Sequence, residues 1–267
     1  MGGDVDIVTV DASNVDRYGF FCYKSKPKTA GYRQKREWLE ERFSEGLRIK
    51  IAREGGKPAG FIEYAPGKYA WRAVNAPNYV VIHCMWVVGR GKGKGYGSRL
   101  LSETIADAQA MGKDGVAMVS SRRPWMAGSA LFLKHGFELA GEAPPSFQLL
   151  VTRFDGAALP TFPNDWDRRL GHYGHGLTVV RSGQCPYLES GAQAALAAAS
   201  EVGVPAQVVE LATAQQAQDF APSAYGVFGV VYDGKLLTYL PAGRKGILER
   251  LQQLPGCSPA TGQLTGD

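Results

Sequence analysis

No pair of cysteines in this 267-residue chain is spaced C-x-x-C. The four that occur, Cys22, Cys84, Cys185 and Cys257, are widely scattered. That excludes a dense disulfide scaffold, gives no zinc or other metal site, and points to a reducing cytoplasm. No apolar run approaches the roughly 20 residues that cross a bilayer, so no membrane association is expected. Met1 to Asp4 carries no positive cluster and no apolar core, so it does not read as a secretory signal. Two phosphate-binding signatures are also missing. No G-x-x-x-x-G-K-[S/T] run fits, and Gly91-x-Gly93-x-x-Tyr96 and Gly93-x-Gly95-x-x-Ser98 both lack the third glycine of the dinucleotide fingerprint.

Negative charge is scarce in one half of the chain. Residues 1–155 hold 23 Lys and Arg against 16 Asp and Glu; residues 156–267 hold 7 against 9. The net charge of +5 therefore comes from the first half, which suits a polyphosphate-bearing ligand. Nucleic acid is the competing partner. Against it, the bases between Lys24 and Lys50 alternate with Glu37, Glu40, Glu41 and Glu45, as on a solvated helix face.

The most informative segment is Gly89-Arg-Gly-Lys-Gly-Lys-Gly-Tyr-Gly-Ser-Arg-Leu-Leu101. It follows an apolar run, Tyr79 to Val88, that reads as a buried strand, and it enters a stretch with helical spacing. Strand, glycine turn and helix in that order make an anion cradle. Glycine lets the backbone approach closely, and the first helical N–H groups have no partner inside the helix. Lys92 and Lys94 add positive charge. The plain alternative is a flexible basic loop with no ligand.

Lys92-Gly93-Lys94-Gly95-Tyr96-Gly97 followed by Leu100-Leu101 resembles the coenzyme A loop of the GNAT acetyltransferases, [Q/R]-x-x-G-x-[G/A] plus an aliphatic pair, with lysine in the first position. Ala130 to Glu138, containing Phe132-Leu-Lys-His-Gly136-Phe137, resembles a second hallmark, L-Y-x-x-x-G-F. The resemblance covers about residues 1–155 and implies an α+β GNAT fold, a mixed twisted sheet with flanking helices. Expected elements are a strand at 6–10, broken helix over 15–45, strands at 47–53, 59–64 and 79–88, a helix at 97–111, a strand at 116–120, a helix near 126–135 and a closing strand at 147–154.

Residues 156–176 read as a linker or irregular wrap. Residues 177–267 then show strand, helix, strand, helix, hairpin and helix, an order that resembles a thioredoxin-like α/β domain with Cys185-Pro186-Tyr187 at its first helix. A GNAT domain followed by this module resembles the YoaP-like acetyltransferases. Matching residues are Gly60 to Gly67, Ala70-Trp71-Arg72-Ala73-Val74 and Ile82-His83-Cys84-Met85-Trp86.

The resemblance implies transfer of an acetyl or other short acyl group from acetyl-CoA, or another acyl-CoA, to a small-molecule amine by direct attack. The cosubstrate would lie on Met85, Trp86, Val87, Lys92, Gly93, Lys94, Gly95, Tyr96, Gly97 and Ser98. The fourth strand would splay near Met85, and one of its N–H groups would polarise the thioester. Glu63, whose pKa would rise if its surroundings are apolar, and His83 are the candidate bases. The alternatives are a core histidine at 83 and a salt bridge from Glu63 to Arg72 or to a lysine of the first helical region. Phe132 stands where the family has its acidic tyrosine, and phenylalanine donates no proton.

Cys22, among Lys24, Lys26 and Lys28, reads as a thiol with a lowered pKa or as a buried small hydrophobe. Cys22, Trp71 and Arg72 are candidate acceptor contacts, with Trp86 and Trp125 as further pocket or core aromatics. Leu188 replaces a second cysteine after Cys185, so two-cysteine exchange is excluded there; a single acidic thiol at a helix N-terminus is the remaining redox possibility. Two other functions stay open, a thiol-redox protein with a CoA-sensing half and a CoA-binding module without catalysis.

Overall fold

The computed structural model describes residues 5–123 and 125–254; Met1 to Asp4 and Cys257 lie outside them. The first half runs β1 (Val5–Val10), α1 (Val15–Tyr18), α2 (Ala30–Ser44), β2 (Arg48–Glu54), β3 (Lys57–Pro66), β4 (Val80–Val87), α3 (Tyr96–Ala110), β5 (Gly115–Ser121), α4 (Ser129–Lys134), β6 (Glu138–Ala143) and β7 (Phe147–Arg153). These strands form one seven-stranded sheet in the order β1-β2-β3-β4-β5-β7-β6, antiparallel except for the parallel pair β4/β5. Every residue of β5 is buried, as a central strand covered on both faces requires. β1, at the edge, is mostly half-buried.

Local chemistry explains the helices. Thr29 caps α2 by accepting the Tyr32 N–H, and the buried positions Gly31, Lys35, Leu39 and Arg42 recur at helical spacing. That stripe places a lysine and an arginine on the inward face. Gly95 takes a left-handed conformation immediately before α3, and Leu100, Leu101, Thr104 and Ala108 turn inward from that helix. Gly136, with φ +79°, terminates the α4 region before β6. The segment expected to be mostly helical over 15–45 is helical only at its two ends. Residues 19–29 form an irregular loop, with positive φ at Phe21 and Tyr23.

The second half contains α5 (Trp166–Gly171), β8 (Leu177–Arg181), α6 (Leu188–Glu201), β9 (Ala206–Glu210), α7 (Ala214–Phe220), β10 (Phe228–Tyr232), β11 (Lys235–Thr238) and α8 (Arg244–Gln252). Its four strands are ordered β11-β10-β8-β9, with β8/β9 parallel and the other pairs antiparallel. The stretch 156–176 is not purely irregular. It holds α5, whose Arg169 donates to Asp165 at 2.6 Å and to the Gln218 carbonyl at 2.7 Å.

The halves do not hang apart on a linker. Trp71, Val74, Val81, Val119, Phe147 and Leu149 of the first half belong to the same buried apolar cluster as Val179, Leu188, Tyr225 and Phe228 of the second. Backbones meet closely across this seam. A Cβ on Gly226 would lie 2.6 Å from Arg72 Cα and 2.8 Å from the Trp71 carbonyl oxygen, and Gly226 has φ +81°. A Cβ on Gly31 would lie 2.0 Å from the Pro186 carbonyl oxygen. Glycine at both positions lets residue 226 approach residues 71–72 and residue 31 approach Pro186.

Gly226→Val is therefore expected to lower stability by more than about 2 kcal/mol, because strain and overpacking act together. Gly93→Ala, which meets no atom within 4 Å but also sits at positive φ, is expected to cost about 1 kcal/mol. Denaturant unfolding of the two variants separates the effects.

Candidate active site

β4 supplies the geometry of the site. It pairs with β5 only from Val80 to Ile82, opposite Val116 to Met118, although both strands continue beyond. On its other side the register with β3 shifts between Glu63 and Tyr64, which pair with Cys84 and Ile82. His83 is the extra residue of this bulge, and a bulge bends a strand and re-aims its side chains. From His83 onward the two central strands part. The opening faces the N-terminus of α3 and a cavity of about 460 Å³.

Beyond the opening lies the glycine loop. Gly93 and Gly95 have φ of +78° and +79°, a conformation that L side chains rarely adopt. No side chain caps α3, so the N–H groups of its first turn are free of helical partners and face the loop's concave side. Ser98 Oγ lies 2.9 Å from His135 Nε2. Lys92 Nζ sits over the Trp86 ring at 5.8 Å. Lys94 is not a free charge, because it donates to Glu54 Oε1 at 2.7 Å.

The floor of the cavity is a buried polar network. Glu63 Oε2 accepts from Lys35 Nζ at 2.6 Å, and Glu63 Oε1 accepts from Gln184 Nε2 at 2.7 Å. The Trp71 N–H donates to His83 Nε2 at 3.0 Å. That bond makes Nε2 an acceptor and places the ring proton on Nδ1. Nδ1 lies 3.4 Å from Glu63 Oε1, an electrostatic contact but too poorly formed to count as a hydrogen bond. Arg72 donates to the carbonyl oxygens of Trp71 and His83 and lies over the Tyr225 ring at 5.1 Å.

Burial by itself would raise the Glu63 carboxyl. The Lys35 ammonium and its hydrogen bond, together with the nearby His83, outweigh it and hold the group at about 2. Of the two readings of Glu63, the salt bridge to a lysine of the first helical region is the one observed, with Lys35, and the raised pKa of a carboxyl among apolar groups does not arise. Burial lowers His83 to about 4, with the contact to Glu63 opposing the change only in part. At neutral pH the floor therefore holds an ionised carboxylate beside a neutral imidazole.

The cavity walls come from both halves. Phe20, Phe21, Cys22 and Tyr23 come from the loop before α2, Met85 and Trp86 from β4, and Cys185, Pro186 and Tyr187 from the second half. Cys22, Arg72 and Trp86 line it, as does Trp125. Trp71 does not: it is fully buried in the seam, edge-on to Trp38 at 5.2 Å.

Of the two readings of Cys22, the lowered pKa is the one corrected. Burial pushes this thiol well above its ordinary value, and nearby Cys84 and Cys185 add to the effect. Cys185 is likewise driven up by burial, to about 11, despite a backbone hydrogen bond from Tyr187. It is not an acidic helix-terminal thiol. Phe132 is buried against Phe137, with ring centroids 5.3 Å apart.

Sequence reasoning missed Gln184, Cys84, Tyr187 and Tyr225, and it named Lys35 only as an unspecified lysine of the first helical region pairing with Glu63. Lys35 left a trace, since it occupies an inward position of the α2 stripe between Gly31 and Leu39. Gln184 left none.

Residues 16–137 match the model of the Acetyltransferase (GNAT) family. The uncharacterized N-acetyltransferase YoaP of Bacillus subtilis is 32% identical over 236 residues, covering 87% of this chain and 92% of that protein. The L-methionine sulfoximine/L-methionine sulfone acetyltransferase of Salmonella typhimurium is 32% identical over 76 residues, 28% of this chain and 42% of that protein. Among solved structures, Salmonella typhimurium yncA with acetyl-CoA aligns with a TM-score of 0.44 at 19% identity, covering 58% of this chain and 96% of that one.

Removing Glu63 strands the buried Lys35 ammonium. Glu63→Leu is expected to cost about 3–5 kcal/mol in chemical denaturation, whereas Lys35→Met with Glu63→Leu recovers most of that loss. Because the folded pKa of Glu63 is depressed, its contribution is present above the unfolded value and lost as pH falls towards about 2. The single variant should therefore destabilise less at acid pH than at neutrality.

Proposed function

The chain belongs to the GNAT acetyltransferase family, and on that premise we propose that it transfers an acetyl group from acetyl-CoA to the amine of a small molecule seated between its two halves. The observation that carries this reading is the parting of β4 and β5 after Ile82, where Met85 both lines the cavity and lies beside Gly97 in the uncapped first turn of α3.

The residues present suit the cosubstrate. The Lys92–Ser98 backbone, with its positive-φ glycines, offers N–H groups to a diphosphate. The released backbone of Met85, Trp86 and Val87 offers strand-like hydrogen bonds to an extended amide-bearing arm. When bound, acetyl-CoA supplies an electrophilic thioester carbonyl and a thiol leaving group. A backbone N–H of β4 beyond the bulge is the donor we assign to that carbonyl.

Among the described residues Glu63 is the one carboxylate lining the cavity, and we assign it to accept a hydrogen bond from the incoming amine. Its low pKa makes it a weak base, so the amine must lose its ammonium proton largely to solvent. His83 has its Nε2 lone pair committed to the Trp71 N–H. It is assigned a positioning role, holding the carboxylate, and not a role as base. Phe132 supplies no acid, so the thiolate leaves without a proton from that position.

We read the second half as thioredoxin-like in its strand and helix order, with residues 177–267 forming that unit after the 1–155 acetyltransferase region. Its task here is to close the acceptor cavity with Gln184 to Tyr187. The raised pKa of Cys185 disfavours thiol exchange.

Amine-dependent release of free CoA tests the proposal. Turnover is expected with primary amines. Acetyl-CoA binding without any such release contradicts it. Because neither Glu63 nor His83 titrates between about pH 5 and pH 8, kcat/KM should rise with pH at an inflection that moves with the acceptor's own pKa. A fixed inflection near pH 6–7 would instead assign the base to an enzyme group.

A further inference from the structure

The charges that line the cavity do not balance. Among the described residues its charged side chains are Lys35, Arg72 and Glu63, with His83 neutral. Glu63 is already engaged by Lys35 at 2.6 Å. Arg72 is 2% exposed, and its partners are two carbonyl oxygens and an aromatic ring, none of them an anion. Among the described residues its Nε has no hydrogen-bond partner, and the protonated Nδ1 of His83 has only the loose contact with Glu63 Oε1 at 3.4 Å. Two unsatisfied donors and one uncompensated cation at a single cavity floor are unusual, since buried polar groups are normally paired and a buried charge without a counter-ion costs several kcal/mol. The thiols and phenols of the lining cannot provide the missing charge, because burial pushes Cys84 to about 12 and Tyr225 higher still.

The walls above this floor are apolar and polarisable. Cys22, Cys84, Cys185, Met85, Met118 and Met126 all line the cavity, so six of the nine cysteine and methionine residues in the sequence gather there. Tyr187 meets Tyr23 and Trp125 edge-on at 4.3 and 5.0 Å. Such sulfur and aromatic surfaces favour a thioether or aromatic group.

We propose that the acceptor is a carboxylated amine of amino-acid type, its carboxylate held at Arg72 and its apolar side group lying on the sulfur-lined wall. Binding supplies the absent negative charge and gives the guanidinium an oxygen acceptor, the pairing for which arginine's planar fork is best suited. The amino group is then left for Glu63, the remaining polar anchor. This assignment rests on the acetyl-transfer reading for its amine but not for its anion site.

Matched pairs that differ only in the carboxylate test it: phenylalanine against 2-phenylethylamine, and methionine against 3-(methylthio)propylamine. With the full-length protein, kcat/KM for CoA release is expected to favour the carboxylated member by about 10- to 100-fold. The preference should fall to within about 3-fold in Arg72→Gln and survive in part in Arg72→Lys, which keeps the charge but not the fork. Equal kcat/KM within each wild-type pair, or preference for the uncarboxylated amine, overturns the proposal without any variant. Calorimetric titration with N-acetylphenylalanine and N-acetyl-2-phenylethylamine provides a readout independent of turnover. Selective binding of the former in the absence of CoA release supports the anion site while removing the acetyl-transfer reading. Binding of neither or of both alike overturns the site.

Discussion

A single buried carboxylate joins the parts of this molecule that matter for its chemistry. Glu63 stands on β3 and receives Lys35 from α2 on one oxygen and Gln184 from the second half on the other. An ionised group in that position is tolerable only while both partners stay in place. The cavity floor is therefore fixed by three elements at once, and the second half is bound into the site as well as packed against it. The glycines at 31 and 226, where no Cβ fits, let backbone come close enough for the Gln184 amide to reach Glu63.

The bulge at His83 turns this arrangement into a site. It ends the parallel pairing of β4 with β5, bends the strand and releases its backbone groups beside the glycine loop. The imidazole of the bulged residue is locked by the Trp71 amide and faces Glu63. Strand register, tautomer and carboxylate position are thus coupled. The three thiols that gather in the cavity, from the loop before α2, from β4 and from the second half, are all pushed upward by burial. They line the cavity as thiols kept neutral by burial.

Much of the first half was legible in the sequence because its demands are local. Glycines 93 and 95 need positive φ, an apolar run marks β4, and the leucine pair marks the inward face of α3. The central strand's opening was foreseen near Met85 and begins earlier, at the bulge. The site floor was less legible, since its contacts join residues distant in sequence: Gln184 and Glu63 are 121 positions apart. Of the two readings of Cys22, the structure favours the buried small hydrophobe for a related reason. Its neighbours in sequence are lysines, but its neighbours in space are apolar groups and other thiols, so desolvation wins over charge. Trp71 was placed in the pocket because the segment around it was right, yet a fully buried indole in the seam cannot touch a ligand in the cavity.

The account's central claim is that the acceptor binds on Glu63 within a cavity that the second half completes. A crystal structure of the full-length protein with CoA and a turned-over amine tests this most directly. The expected result is an amino nitrogen within hydrogen-bonding distance of Glu63 and a body packed against Cys185 to Tyr187. An acceptor lying on another face, touching neither Glu63 nor any residue beyond 176, would contradict it.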